Sequence, residues 1–170
     1  MDTENYRAIM RHQAGAVTVI ACGAAPERSG LTATAFASLS DRPPTVLACV
    51  NQAAGAHDLI VRANAFSVNL LSTGQQQVAE RFAGIGGLKG EARFAGLSWG
   101  TLATGSPILA NALASLDCEL VEQHTFSTHS IFIGRVVAGQ FQAAAEPLLY
   151  FRGDYWNSGR GFAAGGCDKV

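Results

Sequence analysis

The chain has 170 residues, 48% of them hydrophobic and 15% charged, with a formal net charge of −1 at pH 7. That length and composition fit one globular domain with a large core, and the absence of any Lys/Arg cluster excludes nucleic acid as a main partner, because phosphate contacts need concentrated positive charge. No apolar run reaches the roughly 18 residues a membrane span needs, and MDTENYRAIMRH lacks a continuous apolar core, so no signal peptide and a cytoplasmic location are expected.

In chain order, residues 3–13 set Tyr6, Ile9, Met10 and Gln13 at helical spacing, with Gly15 as a stop. AVTVIACG at 16–23 predicts a strand and AAPERSG at 24–30 a turn. GLTATAFASLS at 30–40 predicts a single strand. Its alternation puts Leu31, Ala33, Ala35, Ala37 and Leu39 on one face and the hydroxyls of Thr32, Thr34, Ser38 and Ser40 on the other, interrupted only by Phe36. DRPP at 41–44 ends it, since proline has no ladder N–H. TVLACVN at 45–51 predicts a strand, HDLIVRA at 57–63 a short helix, and AFSVNLLS at 65–72 a strand.

Ser72 and Gln75 then have the spacing of a capping box for a helix through QQQVAERFAG. GIGGLKGEARF at 84–94 is glycine-rich and irregular. ASLDCELVEQ, SIFIGRVVAG and PLLYFRGDYW predict three further strands. NSGRGFAAGGCDKV predicts a flexible tail, which gives a domain at 1–156 and a tail at 157–170. About seven strands with three short helices, not in regular alternation, favour a mostly antiparallel barrel or sandwich over a doubly wound sheet. The sparse charge points to an oligomer that buries part of the surface.

Chemistry-bearing motifs are few. Cys22, Cys49, Cys118 and Cys167 form no CxxC pair. The first three sit in apolar runs, as reduced core thiols do, so no metal site is expected. GIGGLKG is neither GxGxxG nor a P-loop. It reads as a flexible loop or as a lid beside a ligand. His124 and His129 lack a metal-ligand spacing, and no GxSxG elbow accompanies any histidine. His129, at the mouth of a strand, is either an ordered surface group or a ligand contact. His57, opening a helix, is either a solvated loop residue or part of an anion site. The hydroxyls at 32–40 are either the decoration of an exposed strand face or a wall for a flat polar ligand. A chain so short of acids, bases and nucleophiles would take its reactivity from a cofactor.

GLTATAFASLSDRPPTVLACVN resembles the signature of the short-chain flavin reductases, the small partners of two-component flavin-dependent monooxygenases. NYRAIMRHQAGAVTVI, FSVNLL, AERFAG, LASLDCEL, THSIFIGRV and LLYFRGDYW resemble further family segments in the same order, over residues 5–156. The resemblance implies a split antiparallel β-barrel that works as a homodimer, binds FAD or FMN, and uses NADH rather than NADPH. It implies that Thr32, Ala33, Thr34, Ala35, Ser38 and Leu39 line the flavin ring and ribityl chain. Cys49, Val50, Asn51, Gln52, Ala53, Ala54 and Gly55 would wrap the phosphate, with Phe82 and Ala83 closing the site. His129 would lie on the nicotinamide side as the candidate catalytic residue, and Arg7 with Tyr150, Phe151, Arg152 and Gly153 would hold the dinucleotide.

Many members carry Gly-Asp-His where this chain has Ser127, Thr128 and His129. In this it is nearer the hydroxyphenylacetate and pyrimidine-utilisation branches, which carry Gly-Thr-His. The implied function is reduction of flavin by hydride transfer for a separate monooxygenase acting on an aromatic or phenolic ring. The alternatives are a split barrel that binds flavin without reducing free flavin, and a non-enzymatic interaction domain.

Overall fold

The computed structural model describes residues 1–156; the expected tail at 157–170 lies outside them. Helix α1 (Thr3–Met10) is shorter than the periodicity predicts and is capped by Asp2, which accepts from Asn5 N at 2.8 Å. The strand expected at 16–23 divides into β1 (Gly15–Ala16) and β2 (Thr18–Cys22). Then come β3 (Ser29–Ala33), β4 (Phe36–Asp41), β5 (Pro44–Asn51), α2 (His57–Ala63) and β6 (Ala65–Leu70). A 3-10 turn at Thr73–Gln75 leads into α3 (Gln76–Phe82). Gln75 Oε1 accepts from Ser72 N at 3.0 Å, the backward half of the expected capping box. The chain continues through β7 (Trp99–Thr101), β8 (Pro107–Leu109), the long strands β9 (Ala114–Phe126) and β10 (His129–Phe141), β11 (Leu149–Phe151) and β12 (Asp154–Trp156).

Seven strands form one sheet in the order β3-β2-β6-β9-β10-β5-β4, and every neighbouring pair is antiparallel. The stretch 30–40 is therefore not one strand. It breaks at Thr34–Ala35, and its two halves take the opposite edges of the sheet. From Ala33 to Phe36 the chain can reach only about 11 Å, so the two edges must stand close together. The sheet curls into the expected barrel, split at this seam. Thr18 donates its hydroxyl to Ala33 O at 2.7 Å on one side of the break, and Cys49 N donates to Ala35 O at 2.9 Å on the other. The row of hydroxyls ends there too: Thr32 is on β3, Ser38 and Ser40 are on β4.

β2 is buried along its whole length, which explains why four of the five residues of TVIAC are apolar. Ile20 and Cys22 face the barrel interior with Phe66, Val68, Cys118 and Phe132, where α2 adds Ala56 and Ile60. Val19 and Ala21 face a second core outside the barrel, where α3 packs Val78, Ala79 and Phe82 with Phe94, Leu109 and Leu148. A strand covered on both faces has no polar side to show. In the interior, Gly134 lies under Phe66: a Cβ there would stand 2.6 Å from Phe66 Cζ, so no larger residue fits without displacing the ring.

Two hairpins also depart from the expected plan. The β7–β8 hairpin fills a stretch for which no element is predicted. It docks on polar atoms of β6: Ser67 Oγ donates to Pro107 O at 2.5 Å, and Asn69 Oδ1 accepts from Leu109 N at 2.8 Å and from Ser115 Oγ at 3.0 Å. The hairpin completes the hydrogen bonding of these buried polar groups, which Ala21, Val19 and Ser115 satisfy in part. The predicted last strand is instead a hairpin, β11–β12, turning at Arg152 and Gly153, both with positive φ (53° and 88°).

Candidate functional site

The seam between β3 and α3 opens as a groove of two adjoining cavities that share Thr32 and Ala83. One, of about 350 Å³, is lined by Val17, Thr32, Ala33, Thr34, Ala83, Ile85, Tyr150, Gly153 and Tyr155. The other, of about 510 Å³, is lined by Ser29, Leu31, Thr32, Ala53, Ala54, Gly55, Phe82, Ala83, Lys89, Gly90 and Arg93.

The first cavity is the aromatic end. Tyr150 and Tyr155 meet edge to face, 5.4 Å between centroids. Burial, with Glu80 and Tyr150 adding to it, holds the Tyr155 phenol above its ordinary pKa, so it stays a neutral hydrogen-bond donor. The second cavity is the basic end. Arg93 donates to the carbonyls of Gly30, Phe82 and Leu88 at 2.8, 3.2 and 2.9 Å, which neutralise none of its charge. Lys89 has no ion-pair partner among the described residues.

The loop at 84–94 borders both cavities, through Ile85 at one end and Lys89 and Gly90 at the other. Its far end is pinned. Glu91 accepts from Arg28 N and Nε at 3.2 and 3.0 Å and forms a further close contact with Arg28 Nη2. That hydrogen bonding holds the Glu91 carboxyl below its ordinary pKa. Arg28 also stacks over Phe94, whose ring packs on Phe82 and Trp99 at centroid distances of 5.1 and 4.8 Å.

The residues expected at the site thus separate. Thr32, Ala33, Thr34, Ala53, Ala54, Gly55, Phe82, Ala83, Tyr150 and Gly153 line the groove. Ala35, Ser38, Leu39, Cys49, Asn51, Gln52, Phe151, Arg152 and Arg7 line neither cavity. Val50 is fully buried in the barrel core, so its side chain meets no ligand. Thr32 does not present a free hydroxyl, because it donates to Ala79 O at 2.6 Å. Arg152 lies over Phe151 and donates its backbone N–H to Arg11 O at 2.7 Å.

His129 opens β10 as an exposed residue opposite Asn51 of β5, and its Nδ1 lies 2.9 Å from Thr128 Oγ1. A hydroxyl therefore stands beside this ring where the Gly-Asp-His pattern would supply a carboxylate. His57 is neither a solvated loop residue nor an anion site: its ring is buried between Asp58 and Ser130. Val17, Ser29, Leu31, Arg93 and Tyr155 join the groove beyond the expected site residues, and Ile85, Lys89 and Gly90 come from GIGGLKG, for which a lid beside a ligand is one of the two readings. Two sequence signals point to such residues, the lone lysine of GIGGLKG and the tyrosine of GDYW.

A split antiparallel barrel whose groove runs from a tyrosine pair to two basic side chains defines a binder of a flat, phosphorylated ring compound. The family model for the flavin reductase like domain matches residues 10–159. The chain is 39% identical over 145 residues to the FMN reductase (NADH) RutF 2 of Methylorubrum extorquens, covering 85% of this chain and 83% of that one. It is 38% identical over 151 residues to the FMN reductase (NADH) RutF of Agrobacterium fabrum, covering 89% and 86%. The Streptomyces globisporus NADH:FAD oxidoreductase SgcE6, solved with NAD and FAD fragments, superposes with a TM-score of 0.83 at 30% identity over 91% of this chain and 92% of that one. The chain belongs to the flavin reductase like family.

Proposed function

We propose that this protein reduces FMN or FAD with NADH and supplies the reduced flavin to a separate monooxygenase. The observation that carries this reading is the groove itself. Its basic end at Lys89 and Arg93 suits a phosphate, its middle at Thr32, Ala33 and Ala83 is narrow and small-sided, and its tyrosine end can meet a ring. The donor set fits a flavin nucleotide without any metal. When bound, the flavin ring supplies the hydride acceptor and NADH the hydride.

The chain's own work is placement. Lys89 and Arg93 hold the phosphate. The turn at 53–55 and the wall of Phe82 and Ala83 enclose the chain between phosphate and ring. Thr34 and Tyr155 offer hydroxyls to the ring's polar edge, where they favour the charge that develops on reduction. His129 is a positioning donor for the nicotinamide, since hydride transfer requires no proton from it. Among the described residues that line the groove, Lys89 and Arg93 are the only formal charges, which suits a ligand that must also leave.

The working unit is a homodimer. Helix α1 buries none of its residues and exposes Tyr6, Ile9 and Met10, and a helix of 8 residues is marginal in water without a partner surface. On the outer face of β5 and β10, Leu47, Cys49, Ile131 and Ile133 stand in register beside Asn51 and His129, with Leu39 (50% exposed) on neighbouring β4 and Phe126 (83% exposed) opposite His129 on β9. Covering this face with a second copy would bring His129 into a shared site. The oxygenase served acts on an aromatic or phenolic ring; the support is the likeness of FAGIGGLKGEARF and Ser127-Thr128-His129 to the hydroxyphenylacetate and pyrimidine-utilisation branches. The NADH supply and the reduced thiols suit the cytoplasm.

Mixing the pure protein with NADH and free FMN or FAD, and following NADH absorbance, tests the reaction. Flavin-dependent NADH oxidation is expected. A protein that stays yellow through gel filtration yet oxidises no NADH would instead be a flavin carrier. His129→Ala should raise the KM for NADH more than that for flavin; an unchanged NADH dependence removes His129 from the nicotinamide side.

A further inference from the structure

The turn at 51–56 enters the groove at 53–55, where its side chains are too small to hold it. Ala53, Ala54 and Gly55 line the basic cavity and offer no polar group or long apolar chain as an anchor. Its fixation must come from its ends. At the start, Asn51 Oδ1 accepts from Ala53 N at 2.9 Å, while Gln52 donates from its backbone to Thr128 O at 3.0 Å and from Nε2 to Ser127 O at 2.7 Å. At the other end Ala56 is buried in the barrel core, with Cys22 Sγ 3.6 Å from its carbonyl, and the chain enters α2 at His57, a residue only 8% exposed.

The His57 ring bridges two elements. Nδ1 lies 2.8 Å from Asp58 Oδ1 and Nε2 lies 2.8 Å from Ser130 Oγ. A carboxylate only accepts, so Nδ1 carries a proton toward Asp58, and in the neutral ring Nε2 is then the acceptor to which Ser130 donates. Ser130 is fully buried and is the residue next to His129. Its oxygen also faces Thr125 Oγ1 at 3.1 Å and Gln123 Nε2 at 3.3 Å, and Gln123 Nε2 stands 3.4 Å from His57 Nε2. Phe132 closes the pocket edge to face, 5.2 Å from the imidazole centroid. No ligand can reach Ser130, so the arrangement of serine, histidine and aspartate is not a nucleophilic triad. What it does is bind the end of the turn to the first inward-facing residue of β10.

We propose that the His57–Ser130 hydrogen bond is a positioning device that sets the turn at 51–56 against β10 and thereby sets the affinity for flavin. This role rests on the reading of that turn as part of the flavin cradle. Removing either partner takes away the side-chain hydrogen bond between the turn's end and β10, and the turn, held there otherwise only through Ala56 in the barrel core, loosens against β10.

The test compares Ser130→Ala, His57→Leu and His57→Gln by flavin fluorescence quenching, steady-state NADH oxidation and thermal unfolding. A glutamine can present Oε1 to the Ser130 hydroxyl. Ser130→Ala and His57→Leu are expected to raise the KM and Kd for flavin about tenfold with kcat kept within about twofold, and His57→Gln to restore most of the affinity. A purely structural role would lower the unfolding temperature and leave flavin KM unmoved, and that result overturns the proposal. So does a His57→Gln variant as weak as His57→Leu. If His57→Leu fails to fold, Ser130→Ala decides alone. Ala54→Glu tests the underlying reading by putting a carboxylate in the cradle: if flavin binding survives it, the turn is not in the cradle and both readings fall. If Ala54→Glu abolishes binding while Ser130→Ala does not alter it, only the positioning role falls.

Discussion

Thr32 donates its hydroxyl to the carbonyl of Ala79 at 2.6 Å, so the first residue of the groove's hydroxyl wall is also a strut between β3 and α3. Its oxygen keeps lone pairs for a ligand donor, but its proton is committed to the helix. Thr32→Val should therefore lower unfolding free energy by about 1 kcal/mol, through loss of a partly buried hydrogen bond. Thr32→Ser, which keeps the hydroxyl, should recover most of it. Urea unfolding of the two variants beside the parent checks this, with flavin affinity measured on the same samples to separate strut from ligand contact.

Lys89 brings to the basic cavity a cation with no ion-pair partner among the described residues. Lys89→Ala should weaken FMN binding about tenfold, the size of one charge-assisted hydrogen bond to a phosphate. Its effect on riboflavin, which has no phosphate, should be small. Fluorescence titrations with the two flavins, repeated at raised salt, would show the difference narrowing as the charge is screened.

Glu91 ties the loop at 84–94 to Arg28, and the tie depends on its charge. Arg28 lowers the Glu91 pKa from the ordinary 4.5, so the stabilisation is fully present above 4.5 and is lost as pH falls through the lower value of the folded state. The difference in unfolding free energy between the parent and Glu91→Gln should accordingly be constant above 4.5 and shrink toward zero in more acid solution. Denaturant melts of both proteins across that range measure it.

Burial pushes the thiols of Cys22 and Cys118 up to about 12. The thiolate is the reacting form, so both should resist alkylation in mildly alkaline buffer until the chain unfolds. Peptide mapping after iodoacetamide treatment, with and without denaturant, checks this.

Much of the barrel was legible because its strands are apolar and β-branched, and because Ser72 and Gln75 mark a helix start by local chemistry alone. The break at Thr34–Ala35 was not legible. Both halves of GLTATAFASLS are good strands, and what parts them is the closing of a sheet between residues distant in sequence. The β7–β8 hairpin was hidden for a similar reason: its anchors, Ser67 and Asn69, look like misplaced polar residues until Pro107 and Leu109 stand against them.

For the site, local sequence determined which residues could meet a ligand without crowding it: the small side chains of 32–34, 53–55 and 83, and the glycine-rich turn that carries Lys89. Tertiary structure decided which of them share a groove. It drew Tyr155 and Arg93 in, buried Val50, kept His129 outside on the face beside Asn51, and turned His57 from a surface residue into the partner of Ser130. Residue type and spacing fix chemistry along the chain, whereas proximity across a barrel depends on strand register and closure, to which every strand contributes.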